Sequence, residues 1–294
     1  MKKVGLILGA NIEYAPYVQN YIKILKELKI DYKVIEYKKV DLENKLSNII
    51  SFKDNSNTNS ILGKIIGYIK FKNFLKLKIL EEKFDFLVLF TPQIYFLGMS
   101  NFFQKHYFKK YILDIRDYNI IFRNTFILKK LIKNSKYTVI SSKGFKKWLP
   151  TNLKYIIDHN INEKEVDTIF SNNLNTSKIK ILNCGVIRSF EQNLYLIRTL
   201  KDSKNIEIEY RGESVISKRL KKFVEENKIK NVSFYGYYRK ENENYYIEKS
   251  NFLNIMQTDD FLSRYALPNR FYKALLLKKI IIATSGNYVG NLVE

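Results

Sequence analysis

Short apolar runs, each closed by a turn residue, alternate with helix-patterned segments along nearly the whole chain, and they do so twice, on either side of one polar stretch. This alternation is the strongest constraint on the fold. Strands buried on both faces, each returned to its start by a helix, make a parallel sheet covered by helices. In the first half, Val4–Leu8 reads as a buried strand ending in Gly9-Ala10-Asn11, Tyr17–Leu28 as a helix and Tyr32–Tyr37 as a second strand. Phe84–Phe90, Tyr111–Asp114 and Tyr137–Ser141 read as further strands, with a helix near Phe122–Asn134 before the last. Beyond the polar stretch Asn160–Ser177, strands at Ile179–Cys184, Ile206–Tyr210, Val232–Tyr235, Asn251–Met256 and Ile280–Thr284 are expected. Helices at Glu191–Leu200, Val215–Glu226 and Pro268–Leu277 lie between them. The expected class is α/β, in two similar halves.

The chain has 294 residues, 46% hydrophobic and 15% aromatic, which suffices for one or two cores and excludes global disorder. A single cysteine, Cys184, excludes a disulfide framework and a Cys-based zinc site; it reads as a small buried hydrophobe. His106, expected exposed on a helix, and His159, expected at a strand end, stand far apart, so no metal centre is expected. Trp148 and Leu149 read as core. No secretory signal is visible, and Lys interrupts every apolar run before it could span a bilayer, so a soluble cytoplasmic protein is expected. Lys and Arg number 51 against 29 Asp and Glu, a net charge of +22. The lysines are scattered among Ile, Asn and Tyr, which argues against a nucleic-acid partner; anionic lipid or phosphorylated small molecules fit the charge at least as well. After the polar loop Asp54–Ser60, the segment ILGKIIGYIKFKNFLKLKILEEK leaves two readings open. It is either a basic helix lying on a membrane surface through Lys70, Lys72, Lys76 and Lys78, or a crossover helix with its lysines in water.

In open parallel sheets, ligands gather beyond the carboxyl ends of the strands. The loops that would stand there are Gly9-Ala10-Asn11, Thr91-Pro92-Gln93, Asp114-Ile115-Arg116-Asp117, Gly185-Val186-Ile187-Arg188, Arg211-Gly212-Glu213 and Gly236-Tyr237-Tyr238. The chain has no Walker A sequence, G-x-G-x-x-G, H-E-x-x-H or G-x-S-x-G, which disfavours P-loop NTPases, dinucleotide oxidoreductases, zincins and α/β-hydrolases.

Seven segments carry a resemblance. They are LDIRDY (Leu113–Tyr118), TVISSKGFKKWL (Thr138–Leu149), Asp158-His159-Asn160, NCGVIR (Asn183–Arg188), YRGES (Tyr210–Ser214), FYGYY (Phe234–Tyr238) and LPNRFYKALLLKKIIIAT (Leu267–Thr284). Taken in order, they resemble the motif segments of GT-B glycosyltransferases of the family-four type, which build capsule, O-antigen and other cell-surface glycans of bacteria. The last segment is the most specific. The resemblance implies two Rossmann-like domains facing a cleft: residues 1–160 bind the acceptor, 161–177 form the linker and 178–294 bind a nucleotide-sugar donor. It further implies metal-independent transfer, with retention of configuration, to a glycan or lipid-linked acceptor, on the inner face of the membrane and without a cofactor. A crossover helix that normally closes such proteins is expected to be missing after Glu294.

Mapped onto this chain, the resemblance makes Arg188 a diphosphate clamp and Asp117 the group that orients or deprotonates an acceptor hydroxyl. Asn11, Glu13, Asp114 and Arg116 would bind substrate, with an Asp–Arg pair holding the loop as the alternative. Gly212, Glu213, Gly236, Tyr237, Pro268, Asn269 and Arg270 would line the donor site, Pro268 opening the last helix. Lys273 stands where the family usually carries a ribose-binding carboxylate, and Tyr265 where its upstream partner would fall, with Asp259 and Asp260 nearby. This departure implies a second reading, a catalytically silent partner or scaffold of an active glycosyltransferase.

Overall fold

The computed structural model describes residues 2–38, 47–54, 61–90, 98–118, 125–161, 178–258 and 260–294. Thr91-Pro92-Gln93, positions 55–60 of the polar loop, the start of the helix near Phe122, nearly all of the linker and Asp259 fall outside the described residues. The chain divides into two compact units, Met1–Asn162 and Glu163–Glu294.

The first unit is built on seven strands: β1 (Lys3–Leu8), β2 (Asp31–Lys38), β3 (Ile49–Lys53), β4 (Phe86–Leu89), β5 (Tyr111–Ile115), β6 (Tyr137–Ile140) and β7 (Ile156–Ile157). They run in the order β3-β2-β1-β4-β5-β6-β7, and every pairing is parallel. Val4 on β1 stands opposite Tyr32 on one side and Phe86 on the other, so β1 is the pivot at which the order reverses. Right-handed crossovers then put the helix Val18–Glu27 on one face of the sheet and Ile61–Glu82, Ser100–His106 and Thr125–Asn134 on the other. Val4, Leu6, Leu8 and Val34 meet Val18, Ile22 and Leu25 on the first face. On the second, Phe71, Leu75 and Ile79 are fully buried, and Phe71 stacks on Tyr37 at 5.1 Å between ring centroids. Their i, i+4, i+8 spacing places them on one side of the helix.

The second unit repeats the design with β8 (Ile179–Cys184), β9 (Ile206–Arg211), β10 (Val232–Gly236), β11 (Phe252–Asn254) and β12 (Ile280–Ile282), ordered β10-β9-β8-β11-β12 and again parallel throughout. Leu194, Ile197, Leu220 and Val224, from the helices Phe190–Leu200 and Val215–Glu226, pack with Ile181, Ile208 and Tyr210. No described helix is long and apolar enough to cross a membrane.

The α/β class and the five strands of the second half match the expectation. Two strands of the first unit were not anticipated. β3 is an edge strand of half-buried residues ending in an exposed Lys53, so it lacks a continuous apolar run. β7 is only two residues long. The strand expected over Phe84–Phe90 contracts to Phe86–Leu89. Pro268 is corrected from the first helical turn to the position just before it, since the helix spans Asn269–Leu276. Leu75→Ala should cost roughly 2–5 kcal/mol in urea unfolding, because it opens a void in a closed core. Leu62→Ala on the same helix, at a side chain 73% exposed, should stay within about 0.5 kcal/mol.

Candidate functional site

Three loops that follow adjacent strands meet at the carboxyl end of the second sheet. Pairing of β8 with β9 sets Cys184 opposite Arg211, so Gly185 and Gly212 follow side by side. Gly212 has φ +130°, and a Cβ there would lie 1.9 Å from the Gly185 carbonyl oxygen. Only glycine permits this approach. The Gly212 amide donates to the Gly236 carbonyl at 2.7 Å, which draws the loop after β10 onto the other two. A capping box of Ser214 and Ser217 then starts the helix Val215–Glu226 immediately behind Glu213.

These loops bound a cavity of about 280 Å³ lined by Gly185, Val186, Gly212, Glu213, Tyr237, Tyr238, Lys240 and Glu243. Glu243, at the start of the helix Glu243–Glu248, accepts from Lys273 Nζ at 2.6 Å and from the Tyr238 hydroxyl. Lys273 also donates to Asn244 Oδ1 at 3.1 Å and is buried. Burial opposes ionisation of Glu243. The hydrogen bonds from Lys273 and Tyr238, with the charges of Lys273 and Arg270, outweigh that penalty and hold its carboxyl below the usual range. Arg270 Nη1 donates to the Cys184 carbonyl at 2.7 Å, so its guanidinium is tied to the end of β8. The Cys184 thiol is buried, which pushes its pKa up to about 12.

Beneath the loop after β8 lies a set of buried asparagines. Asn193 Nδ2 donates to the carbonyls of Arg188 and Ser189 at 2.8 and 2.9 Å, and its Oδ1 accepts from the Tyr210 hydroxyl at 3.1 Å. Asn254 donates to Asn183 Oδ1, and its own Oδ1 accepts from the Met256 amide. This network fixes the turn in which Ser189 takes a left-handed φ of 66° and Arg188 is exposed.

In the first unit, a second polar cluster joins the ends of β5 and β7. Asp114 is fully buried; its Oδ2 accepts from the Tyr21 hydroxyl at 2.8 Å and from Arg116 Nη2 at 2.7 Å. Arg116 also donates to Asp158 Oδ2 at 2.5 Å and to the Asp158 carbonyl at 3.1 Å, and its guanidinium lies 4.9 Å from the Tyr17 ring centroid. Burial pushes the Asp114 carboxyl up, opposed by the charge of Arg116 and the hydrogen bonds from Arg116 and Tyr21. Burial alone would lower the Arg116 pKa, but Asp114 and Asp158 raise it above its ordinary value. Among the described residues, Asp114 Oδ1 and Arg116 Nε have no hydrogen-bond partner.

Of the residues expected from the sequence, Gly212, Glu213 and Tyr237 line the cavity, and Gly236 contacts Gly212 at its edge. Arg270 adjoins it through the Cys184 carbonyl. Pro268 and Asn269 open the helix that carries Arg270 and Lys273, with no side-chain cap at Pro268. Arg188 is not among the lining residues. Asp114 and Arg116 bind each other, while Asp117 beside them is exposed. Asn11 is buried and Glu13 exposed at the turn after β1. That turn is held by a residue the sequence did not single out: Glu36, fully buried on β2, accepts from the Ile12 amide at 2.9 Å and the Ser51 hydroxyl at 2.7 Å. Lys240 and Glu243 were also not anticipated, because their segment follows no strand directly and carries no motif. Among the described residues, no group of three or more His, Cys, Asp or Glu is placed to hold a metal ion.

No family model matches the chain, and no curated protein does. Solved structures do. Sucrose-phosphate synthase from Thermosynechococcus elongatus matches all of this chain over 84% of its own, with 11% identity and a TM-score of 0.71. HepE from Anabaena, in complex with UDP and glucose, matches all of this chain over 83% of its own, at 11% identity and a TM-score of 0.64. The lipopolysaccharide outer core galactosyltransferase WaaB matches 96% of this chain over 80% of its own, at 13% identity and a TM-score of 0.66. At such identities the likeness is one of fold: the chain has the GT-B fold, with two Rossmann-like units.

Two outcomes follow from the geometry. Arg116→Met should destabilise the protein by roughly 3–5 kcal/mol in chemical denaturation, because Asp114 keeps its burial and loses its counter-charge. Glu243 has a folded pKa below its unfolded one, so its ionised form adds stability above about pH 4.3 that is lost as pH falls through the lower folded value. The unfolding midpoint of Glu243→Gln should therefore fall less steeply on the acid side than that of the unchanged chain.

Proposed function

We propose that the chain is a glycosyltransferase that moves a sugar from a nucleoside-diphosphate sugar, bound by the second unit, to a cell-surface glycan or lipid-linked acceptor bound by the first. The fold alone does not choose the reaction. The observation that carries the reading is the chemistry of the cavity over β8, β9 and β10, which offers each part of such a donor a matching group. Glu213 and Glu243 are acceptors for sugar and ribose hydroxyls. Although both Glu243 oxygens already accept a bond, each keeps a second lone pair. Tyr237, 78% exposed, offers a ring face to a base. Lys240 on the wall and Arg270 at the end of β8 supply positive charge for the diphosphate, aided by the uncapped amino end of the helix Asn269–Leu276. Arg188 is the proposed additional clamp, and Asp117 the proposed acceptor-side base.

Stabilising the departing diphosphate by cations and helix amides makes the proposed transfer metal-independent. We assign retention of configuration and a cytoplasmic location on the resemblance of the motif segments. HepE, which shares the fold, binds UDP and glucose, and this favours a uridine donor here.

Glu243 also answers the departure at position 273. Where the resemblance leads to a carboxylate on the last helix, this chain has Lys273, and the carboxylate comes from the neighbouring helix, ion-paired to that lysine. The second reading, a silent partner of an active transferase, rests on the same substitution.

A thermal-shift screen against UDP, GDP, CMP and dTDP, with their sugars, separates these readings. One nucleotide should stabilise the chain selectively, by about 2.7 kcal/mol at a hundredfold excess over Kd. Gly212→Ala, whose Cβ would strike the Gly185 carbonyl and force the two loops apart, should abolish that shift. Binding without any consumption of the sugar donor, when acceptor glycans are supplied, would favour the silent partner. No binding of any nucleotide would overturn the transferase reading and leave the silent partner.

A further inference from the structure

Beside the cavity, the pairing of β10 with β9 is irregular. Phe234 stands opposite Tyr210, but Gly236, not Tyr235, stands opposite Arg211, so Tyr235 is an extra residue bulged from the ladder. A bulge re-aims the side chain it carries. Here the Tyr235 ring centroid lies 4.0 Å from the guanidinium carbon of Arg211. The ring of Tyr246, on the helix Glu243–Glu248, lies 4.0 Å from the same carbon. The edge of the guanidinium is engaged as well: Nε and Nη2 both donate to Glu209 Oε2, at 3.2 and 3.1 Å, and Glu209 Oε1 accepts from Lys180 at 3.3 Å. Arg211 thus ties the edge strand to a helix through two rings, with its plane fixed by a carboxylate.

That helix has little else to hold it. It is six residues long, Ile247 is its buried residue, and no side chain caps its amino end. Lys273 holds Glu243 and Asn244, and Lys279 donates to the Glu248 carbonyl at 2.6 Å. Tyr246 follows Glu243 by three positions, so the two share a face of the helix. The Tyr246 ring meets Tyr238 edge to face, with 5.7 Å between centroids, and the Tyr238 hydroxyl donates to Glu243. The contact with Arg211 therefore fixes the helix on the side where Glu243 meets the cavity.

We propose that Arg211 is a positioning residue for donor recognition: its stack on Tyr235 and Tyr246 holds the Glu243 carboxylate where it accepts the ribose hydroxyls of a nucleoside diphosphate. Arg211 is not among the residues that line the cavity, and it acts through Tyr246. This role rests on the proposed donor reading and names, within it, the residue that sets ribose discrimination. A planar guanidinium offers two faces to rings while its edge binds a carboxylate. The compact ammonium of lysine would keep the charge and lose the double stack.

The test compares UDP with 2′,3′-dideoxy-UDP, which lacks both ribose hydroxyls, by calorimetric titration of the full chain. UDP should bind roughly tenfold tighter or more, as hydrogen bonds to a charged acceptor require. Arg211→Lys, and separately Tyr246→Leu, should cut that preference to about threefold or less by weakening UDP alone. Tyr246→Phe, which keeps the ring, should retain it. Both ligands meet the same protein, so a general loss of stability weakens both alike and leaves the ratio; a merely structural role predicts no change in it. The proposal is overturned if the preference stays undiminished in Arg211→Lys or Tyr246→Leu, or if Tyr246→Phe loses it as Tyr246→Leu does. It is also overturned if the unchanged chain binds the two ligands equally, and in all these cases the donor reading stands. Absence of UDP binding to the unchanged chain would instead overturn the uridine donor reading together with the role of Arg211.

Discussion

Parallel pairing of β8 with β9, with Cys184 opposite Arg211, is the constraint from which the rest of the candidate site follows. Parallel strands deliver all their carboxyl ends to one edge of the sheet, and this register brings two glycines together there. Because the Gly212 backbone runs where any Cβ would strike the Gly185 carbonyl, the loops close to a spacing that other residues would hold apart. The helix behind Glu213, the loop carrying Tyr237 and the wall formed by Lys240 and Glu243 all take their positions from that contact.

Buried charge plays two different parts in the two units. Asp114 and Asp158 both accept hydrogen bonds from Arg116, and so join the end of β5 to the end of β7. Such a cluster specifies an arrangement more than it adds net stability, since desolvation offsets much of the attraction. Glu243 instead lines a cavity, where its pairing with the buried Lys273 keeps the carboxylate ionised beside open space. Both clusters follow one rule, that a charge removed from water keeps a counter-charge within hydrogen-bonding reach.

The helix Ile61–Glu82 shows why pattern reading left two alternatives open there. Its apolar residues occupy two opposite sides, one closed on Tyr37 and the sheet and one open, so they do not form the single stripe of an ordinary crossover helix. Both sequence readings describe part of it: it is the crossover between β3 and β4, and its outward side is apolar and basic together.

The sequence by itself determined the alternation, and hence two parallel sheets. A continuous apolar run such as Val4–Leu8 or Phe86–Leu89 is characteristic of a strand covered on both faces by helices. It also marked the loops after β8, β9 and β10, because glycine directly after a strand signals a turn that other residues resist. It could not reveal β3, whose half-exposed edge residues lack a run, nor Glu36, Asn193 and Asn254, whose polarity suggests surface until their buried partners are known. Tertiary structure alone decided that Lys273 would face Glu243, thirty positions away, across two neighbouring helices. A lysine's role is set by the charge that burial forces on its neighbours, and no local spacing records that pairing.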